Sequence, residues 1–277
     1  MPRGAGDVRY RFLDPLARLG FLRLAYWLYA RAQTLNPVVV WHNAHFRPVD
    51  RLPVPPGFLV SLVAGTPDIG WFFTSGRLAA ESIDQILKHN GIHMNQLHYI
   101  LDFGCGCGRV IRHLRALTGG KLYGSDYDVK LIDWCRENLS SIGEFSADKF
   151  LPPLSYSAGS FDLIYGLSVF THMAEGTQLA WVGEFARLLR SQGLLVFSTH
   201  GESYLNRLTR KERERFKSGE LVVKRREYEG TNLCTAFHPP QYVERQLSRG
   251  FSVVDFRQAG ARGNPDQDLY LLRRTRN

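Results

Sequence analysis

Five residues, Gly104-Cys105-Gly106-Cys107-Gly108, alternate glycine with cysteine, and Asp102 stands two positions ahead of them. A second carboxylate, Asp126, follows 24 residues after the first. Glycines spaced so closely permit left-handed dihedrals and clear Cβ atoms from the path of a ligand. A helix opening directly after them would add free N–H groups and a partial positive charge, a seat for an anion. The spacing is Gly-x-Gly-x-Gly, and Arg109 stands where a dinucleotide-binding turn has its third glycine. A carboxylate beside a bound pyrophosphate would repel it, whereas beside a cation it attracts. Asp126, if it ends a second strand, can accept hydrogen bonds from both hydroxyls of a ribose. The pattern asks for a nucleoside without a pyrophosphate, carrying positive charge and a small carboxylate tail.

These residues must be positioned by strands and helices, and the sequence alternates between them. "HYILDFG" (98–104) reads as a strand and "CGRVIRHLRAL" (107–117) as a helix; "KLYGSD" (121–126) and "YDVKLIDWCRENL" (127–139) repeat the pair. "IGEFSAD" (142–148) is a weak third strand, and "SFDLIYGLSVF" (160–170) gives the fourth. A helix over "EGTQLAWVGEFARLL" (175–189) precedes the fifth strand, "GLLVFSTHG" (193–201). A helix over "PPQYVERQLSRG" and the strands "FSVVDF" and "DLYLLRR" complete the chain. The expected fold is α/β: a doubly wound, Rossmann-like, mostly parallel seven-stranded sheet with an antiparallel edge strand, plus an N-terminal helical extension. Helical spacing upstream begins around Ser75 and ends near Gly91, so residues 1–75 are assigned to the extension and 76–277 to the main domain. Within that domain, 97–200 form the ligand-binding core, 201–230 an insertion and 231–277 the terminal strands.

S-adenosylmethionine answers the description of the ligand. Consistent with this, "ILDFGCGCGRV", "LYGSDYD", "SFDLIYGLSVFTHM" and "LLRSQGLLVFSTHG" resemble, in order and spacing, the successive motifs of class I S-adenosylmethionine-dependent methyltransferases. The resemblance is strong over roughly 97–200. It implies that Asp102, Gly104, Cys105 and Gly106 surround the methionine part, that Asp126 takes the ribose and that Tyr127 flanks the adenine. It also implies that Asp148 meets the adenine edge with Lys149 beside it, and that Gly166 and Leu167 line the methionine side. The "VAGTPDIGWFFTSGR" segment (63–77) resembles a part that folds over the cofactor in many members, offering Phe72, Phe73, Ser75 and Gly76; ordinary aromatic core is the competing reading.

Methyl transfer from a sulfonium is an in-line displacement, so alignment and exclusion of water are the protein's main contributions. A hydroxyl acceptor must also lose its proton, and His172 and His200, each following a strand on the ligand-bearing edge, are the candidate catalytic bases. Tyr228, Asn232 and His238 are polar candidates for acceptor contact. No carboxylate-rich cluster suits a metal, and none is expected. The acceptor is expected to be a small molecule or a glycan, by analogy with the family. The alternatives are a non-catalytic binding or interaction module and an RNA methyltransferase. Nucleic acid is disfavoured, because "YGLSVF" stands where base-flipping amino-methylating enzymes carry Asn/Asp-Pro-Pro-Tyr/Phe.

Composition sets the outer bounds. The 277 residues are 44% hydrophobic and 22% charged, which is globular. Four cysteines in so long a chain form no disulfide framework, and the expected setting is reducing and cytoplasmic. Of the net charge of +9, residues 207–226 hold nine Lys/Arg against three Glu. The stretch "FLRLAYWLYARAQ" (21–33) is apolar, but Arg23 and Arg31 interrupt it well short of the ~20 residues that span a bilayer. It is expected to pack on the main domain, with a peripheral membrane contact through residues 14–33 as the second reading.

Overall fold

The computed structural model describes residues 21–264 and 267–275. Among the described residues, four α-helices precede the sheet: α1 (Leu22–Thr34), α2 (Pro37–His45), α3 (Gly57–Ala64) and α4 (Ile69–His89). Then follow β1 (Tyr99–Phe103), α5 (Ile111–Leu114), β2 (Lys121–Asp126), α6 (Val129–Asn138), β3 (Glu144–Ala147) and β4 (Phe161–Gly166). The remainder comprises α7 (Glu175–Leu188), β5 (Leu189–Thr199), α8 (Arg210–Lys217), β6 (Val222–Lys224), β7 (Thr235–Phe237), α9 (Pro240–Tyr242, continued by a π-helix over Val243–Leu247), β8 (Phe251–Arg257) and β9 (Asp268–Arg274).

Seven strands form one sheet in the order β3-β2-β1-β4-β5-β9-β8. The first five are mutually parallel, and β9 runs antiparallel to both β5 and β8. The reversal expected toward the sheet's end is therefore β9, one place in from the edge. Side chains alternate between two cores. Ile100, Leu163, Leu194, Val196, Leu269 and Leu271 belong to one, whereas Leu101, Ile164, Leu195, Phe197, Tyr270 and Leu272 belong to the other. This period-two pattern explains why β1 and β4 read as continuous apolar runs: both faces are covered.

Three helix boundaries differ from the sequence reading. α4 begins at Ile69, six residues before Ser75, because Asp68 caps it by accepting the Trp71 N–H at 3.0 Å. The division drawn at 75/76 thus falls inside one continuous helix. Phe72 and Phe73 are buried core residues of that helix, which favours the core reading over a cover. The helix expected over 107–117 shortens to the four residues of α5, since Gly108 takes φ +78° and cannot lie in a right-handed helix. Upstream, α2 and α3 appear where no helix was expected. Asn36 caps α2, with Pro37 at its first position. Of the segment 14–33, residues 14–20 lie outside the described residues.

The N-terminal helices are tied to the domain by Arg112. Its fully buried guanidinium pairs with both Asp50 oxygens, at 2.7 and 3.1 Å, and lies over the Phe73 ring at 4.2 Å. Leu59 and Val60 of α3 pack with Phe72, Phe73, Cys107 and Leu131, which sets α3 beside the glycine turn. No helix among the described residues is long and apolar enough to cross a membrane.

Candidate active site

A cavity of about 620 Å³ opens at the carboxyl ends of β1, β2, β3 and β4. The strand order reverses between β1 and β4, which is where open α/β sheets bind their ligands. Asp102, Gly104, Cys105, Gly106, Asp126, Tyr127, Asp148, Lys149, Leu167 and His172 all border it. Gly166 and His200 do not.

The glycine turn is shaped by its own hydrogen bonds. Gly104, Gly106 and Gly108 all have positive φ. The Gly104 and Cys105 amides donate to the Ser125 carbonyl, at 2.8 and 3.0 Å. The Gly106 amide donates to Asp126 Oδ2 at 2.9 Å, and that of Gly108 to the Cys105 carbonyl. These amides are therefore spent within the fold. With α5 starting only at Ile111, the turn forms no helix-terminal anion seat; it offers a shaped surface. A Cβ on Gly106 would stand 2.6 Å from the Val63 side chain, and one on Gly104 2.6 Å from that of Val169. At either position a larger residue would force the facing valine to shift. Gly106→Ala is expected to lower affinity for S-adenosylmethionine about tenfold in equilibrium dialysis, because φ +56° strains a Cβ by roughly 1–2 kcal/mol and Val63 must yield.

Three carboxylates face this cavity from successive strands. Asp102 Oδ2 is buried and has no hydrogen-bond partner. Burial pushes the Asp102 carboxyl up to about 7, against the opposing pull of Tyr165 and Arg109. Asp126 is raised to about 6, again by burial, although it accepts the Gly106 and Asp128 amides. Asp148 Oδ2 accepts from Ser125 Oγ at 2.6 Å and Ser146 Oγ at 2.8 Å. An unpartnered buried carboxylate beside a second carboxylate at the end of β2 suits the hydrogen-bond donors and the positive charge of S-adenosylmethionine.

The two histidines separate cleanly. His172 borders the cavity, and its Nδ1 meets the Cys234 carbonyl at 2.8 Å. A carbonyl only accepts, so Nδ1 carries the proton and Nε2 keeps its lone pair. Burial holds the His172 ring below its ordinary value, and it is neutral at pH 7. His200 is buried behind the cavity wall, with Nδ1 on the Ala236 carbonyl at 3.1 Å and Nε2 facing the Gln267 amide at 3.3 Å. Both its nitrogens are engaged in structure. His238 is also buried away from the cavity, near Gln178, whereas Tyr228 and Asn232 border it.

Several lining residues escaped the sequence reading. Arg109 reaches Asn264 Oδ1 at 2.8 Å, and Gln267 donates to Ser168 Oγ at 2.9 Å. Ser168 holds an uncommon left-handed φ of +62° at the end of β4, with its amide fixed by Ser198 Oγ at 2.7 Å. On the opposite margin, Tyr127 Oη donates to the Gly230 carbonyl at 2.5 Å and Asn232 Nδ2 to the Leu62 carbonyl at 2.9 Å. Segment 228–233 is thereby joined to both β2 and α3. Tyr127 and Phe150 meet edge to face nearby, with ring centres 5.6 Å apart.

Comparison with known proteins agrees with this geometry. Residues 100–193 match the family model described as a methyltransferase domain. A curated relative, methyltransferase GfsG of Streptomyces halstedii, is 30% identical over 105 residues; the match spans 36% of this chain and 37% of that protein. Among solved structures, a SAM-dependent methyltransferase from Methanosarcina mazei aligns with a TM-score of 0.51 at 19% identity, covering 69% of this chain and 97% of the other. An S-adenosylmethionine-dependent methyltransferase from Mesorhizobium loti gives 0.51 at 16%, covering 69% and 96%. The structures speak for the fold alone. The domain match covers the segment that carries the glycine turn, Asp102, Asp126 and Asp148, and over that segment the chain is similar to a methyltransferase domain.

Proposed function

We propose that the chain transfers the methyl group of S-adenosylmethionine to a hydroxyl or amino group of a small-molecule or glycan acceptor bound in the same cavity. The supporting observation is the meeting of Asp102, Asp126 and Asp148, from three strand ends, around one cavity bordered by the glycine turn. When bound, S-adenosylmethionine supplies an electrophilic methyl group whose C–S electron pair leaves with the sulfur as the acceptor attacks. Asp102 faces the cationic methionine part, and Asp126 accepts from the ribose hydroxyls. Tyr127, Asp148 and Lys149 border the adenine end, and Cys105 and Leu167 the methionine side.

His172 is the base in this reading. Its Nε2 lone pair takes the proton of a hydroxyl acceptor, while the Cys234 carbonyl fixes the tautomer. Depression of its pKa keeps the ring unprotonated through neutral pH, so the rate should be flat near pH 7 and fall only below the ordinary imidazole value. His172→Ala is expected to lower kcat by about a hundredfold with cofactor affinity nearly unchanged. Equal loss of both would make His172 a structural residue. His200 is not assigned a base role, because both its nitrogens are engaged.

The reading is tested by equilibrium dialysis with methyl-labelled S-adenosylmethionine, followed by incubation with fractionated cell extract. Retention of label and its transfer to a small-molecule or glycan fraction support it. Retention without transfer to any fraction would favour a non-catalytic binding module, and label in RNA would redirect the acceptor.

A further inference from the structure

Arg109 is a buried cation held by neutral groups. The residue is 8% exposed. Its guanidinium donates to Asn264 Oδ1 at 2.8 Å and, more loosely, to Ser75 Oγ and the Gly263 carbonyl, both at 3.4 Å. Among the described residues no carboxylate forms an ion pair with it. Arg112, one turn further on, shows the contrast: it is buried as deeply and takes both oxygens of Asp50. A buried charge is costly unless it is paired, so the Arg109 guanidinium is complete only with an anion from outside the chain.

That anion can reach it from the cavity. Ser75 lies in α4, and Gly263 and Asn264 lie in the loop between β8 and β9; all three border the cavity together with Arg109. The segments are pressed close. A Cβ on Gly76 would stand 2.0 Å from the Arg109 carbonyl oxygen, and one on Gly263 2.0 Å from that of Ser75. Three hydrogen bonds use three of the five N–H donors of a guanidinium, leaving two to give.

Asp102 stands within the field of this cation. Burial raises the Asp102 carboxyl and lowers the Arg109 guanidinium, and their mutual attraction opposes both shifts. No hydrogen bond joins them, and Asp102 Oδ2 has no partner at all. An anion and a cation on one cavity wall, both buried and neither paired, match a zwitterion whose ammonium and carboxylate sit on neighbouring atoms. The amino-acid end of the methionine part is such a group.

We propose that Arg109 receives the carboxylate of that end while Asp102 receives its ammonium, so that the pair selects ligands with an intact amino-acid head. The inference rests on the methyl-transfer reading for the nucleoside that carries the head.

The test compares S-adenosylhomocysteine with its decarboxylated form, which keeps the ammonium and lacks only the carboxylate, by calorimetry on the full chain. The wild type is expected to bind the intact ligand at least about tenfold more tightly, the range of a charge-assisted hydrogen bond. Arg109→Gln should lose that preference by weakening the intact ligand alone, with the decarboxylated one held as before. Arg109→Lys, which keeps the charge without the planar fork, should fall between the two and serves if the glutamine variant does not fold. Equal affinity of the wild type for both ligands would overturn the inference. So would variants that weaken both ligands equally, because Arg109 would then be a strut between α4 and the β8–β9 loop. A wild type that binds neither ligand would overturn the methyl-transfer reading itself.

Discussion

Asp126→Ala should lower affinity for S-adenosylmethionine by about a hundredfold, with a smaller effect on melting temperature. Two losses combine. The ribose loses a charged acceptor, for which hydrogen bonds contribute about 1.5–3 kcal/mol. The glycine turn also loses the carboxylate that receives the Gly106 amide at 2.9 Å, leaving a buried donor unpaired. Asp126→Asn separates the two. It keeps an acceptor oxygen for one amide but turns an NH2 group toward the other, since both oxygens face backbone donors. Its loss should therefore be intermediate in dialysis or calorimetry. If Asp126→Ala binds as tightly as the wild type, the ribose assignment is wrong.

The second large effect is a pH dependence that originates at Asp102. Burial raises this carboxyl to about 7 in the ligand-free protein, and a cation beside its unpartnered Oδ2 would favour the ionised form. Binding should release a proton below pH 7. Affinity should then rise about tenfold per pH unit between roughly 5 and 7 and level off above. Calorimetry in buffers of different ionisation enthalpy measures the released proton directly. Asp102→Asn should bind weakly and without this slope; a wild-type affinity independent of pH would remove Asp102 from contact with the cation. For stability the sign is opposite. A folded-state pKa raised above the unfolded value of 3.8 favours the fold at low pH, and that contribution fades as pH climbs from about 4 to 7. The melting-temperature advantage of Asp102→Asn over the ligand-free wild type should accordingly grow across that window.

Much of the core was readable because parallel strands covered on both faces leave unbroken apolar runs. β1, β4 and β5 stand out for that reason, and the carboxylates at the ends of β1 and β2 mark the edge they share. The short helix after the glycine turn was not readable, since helical spacing continues through "RVIRHLRAL" while the dihedral of Gly108 forbids an earlier start. The saturation of the turn's amides was equally hidden, because Ser125 and Asp126, their acceptors, lie on another strand. His172 and His200 look alike in sequence, each following a strand. Only the Cys234 carbonyl and the Gln267 amide, both distant along the chain, distinguish the ring that meets the cavity from the one that does not. Asn264, Gln267 and Ser168 carry no local motif at all. α2 and α3 were missed because prolines surround them, although Pro37 stands where a helix accepts one.

The latch between Tyr127 and Gly230, with its companion between Asn232 and Leu62, sets a tempo for the molecule. Each is a neutral hydrogen bond at an exposed margin, worth about 1 kcal/mol net, so thermal agitation unfastens the pair readily. Spent nucleoside and fresh nucleoside would exchange through that doorway on the microsecond-to-millisecond scale of loop opening. Fastened, the pair holds segment 228–233 across the mouth of the cavity, between Tyr127 and Leu62.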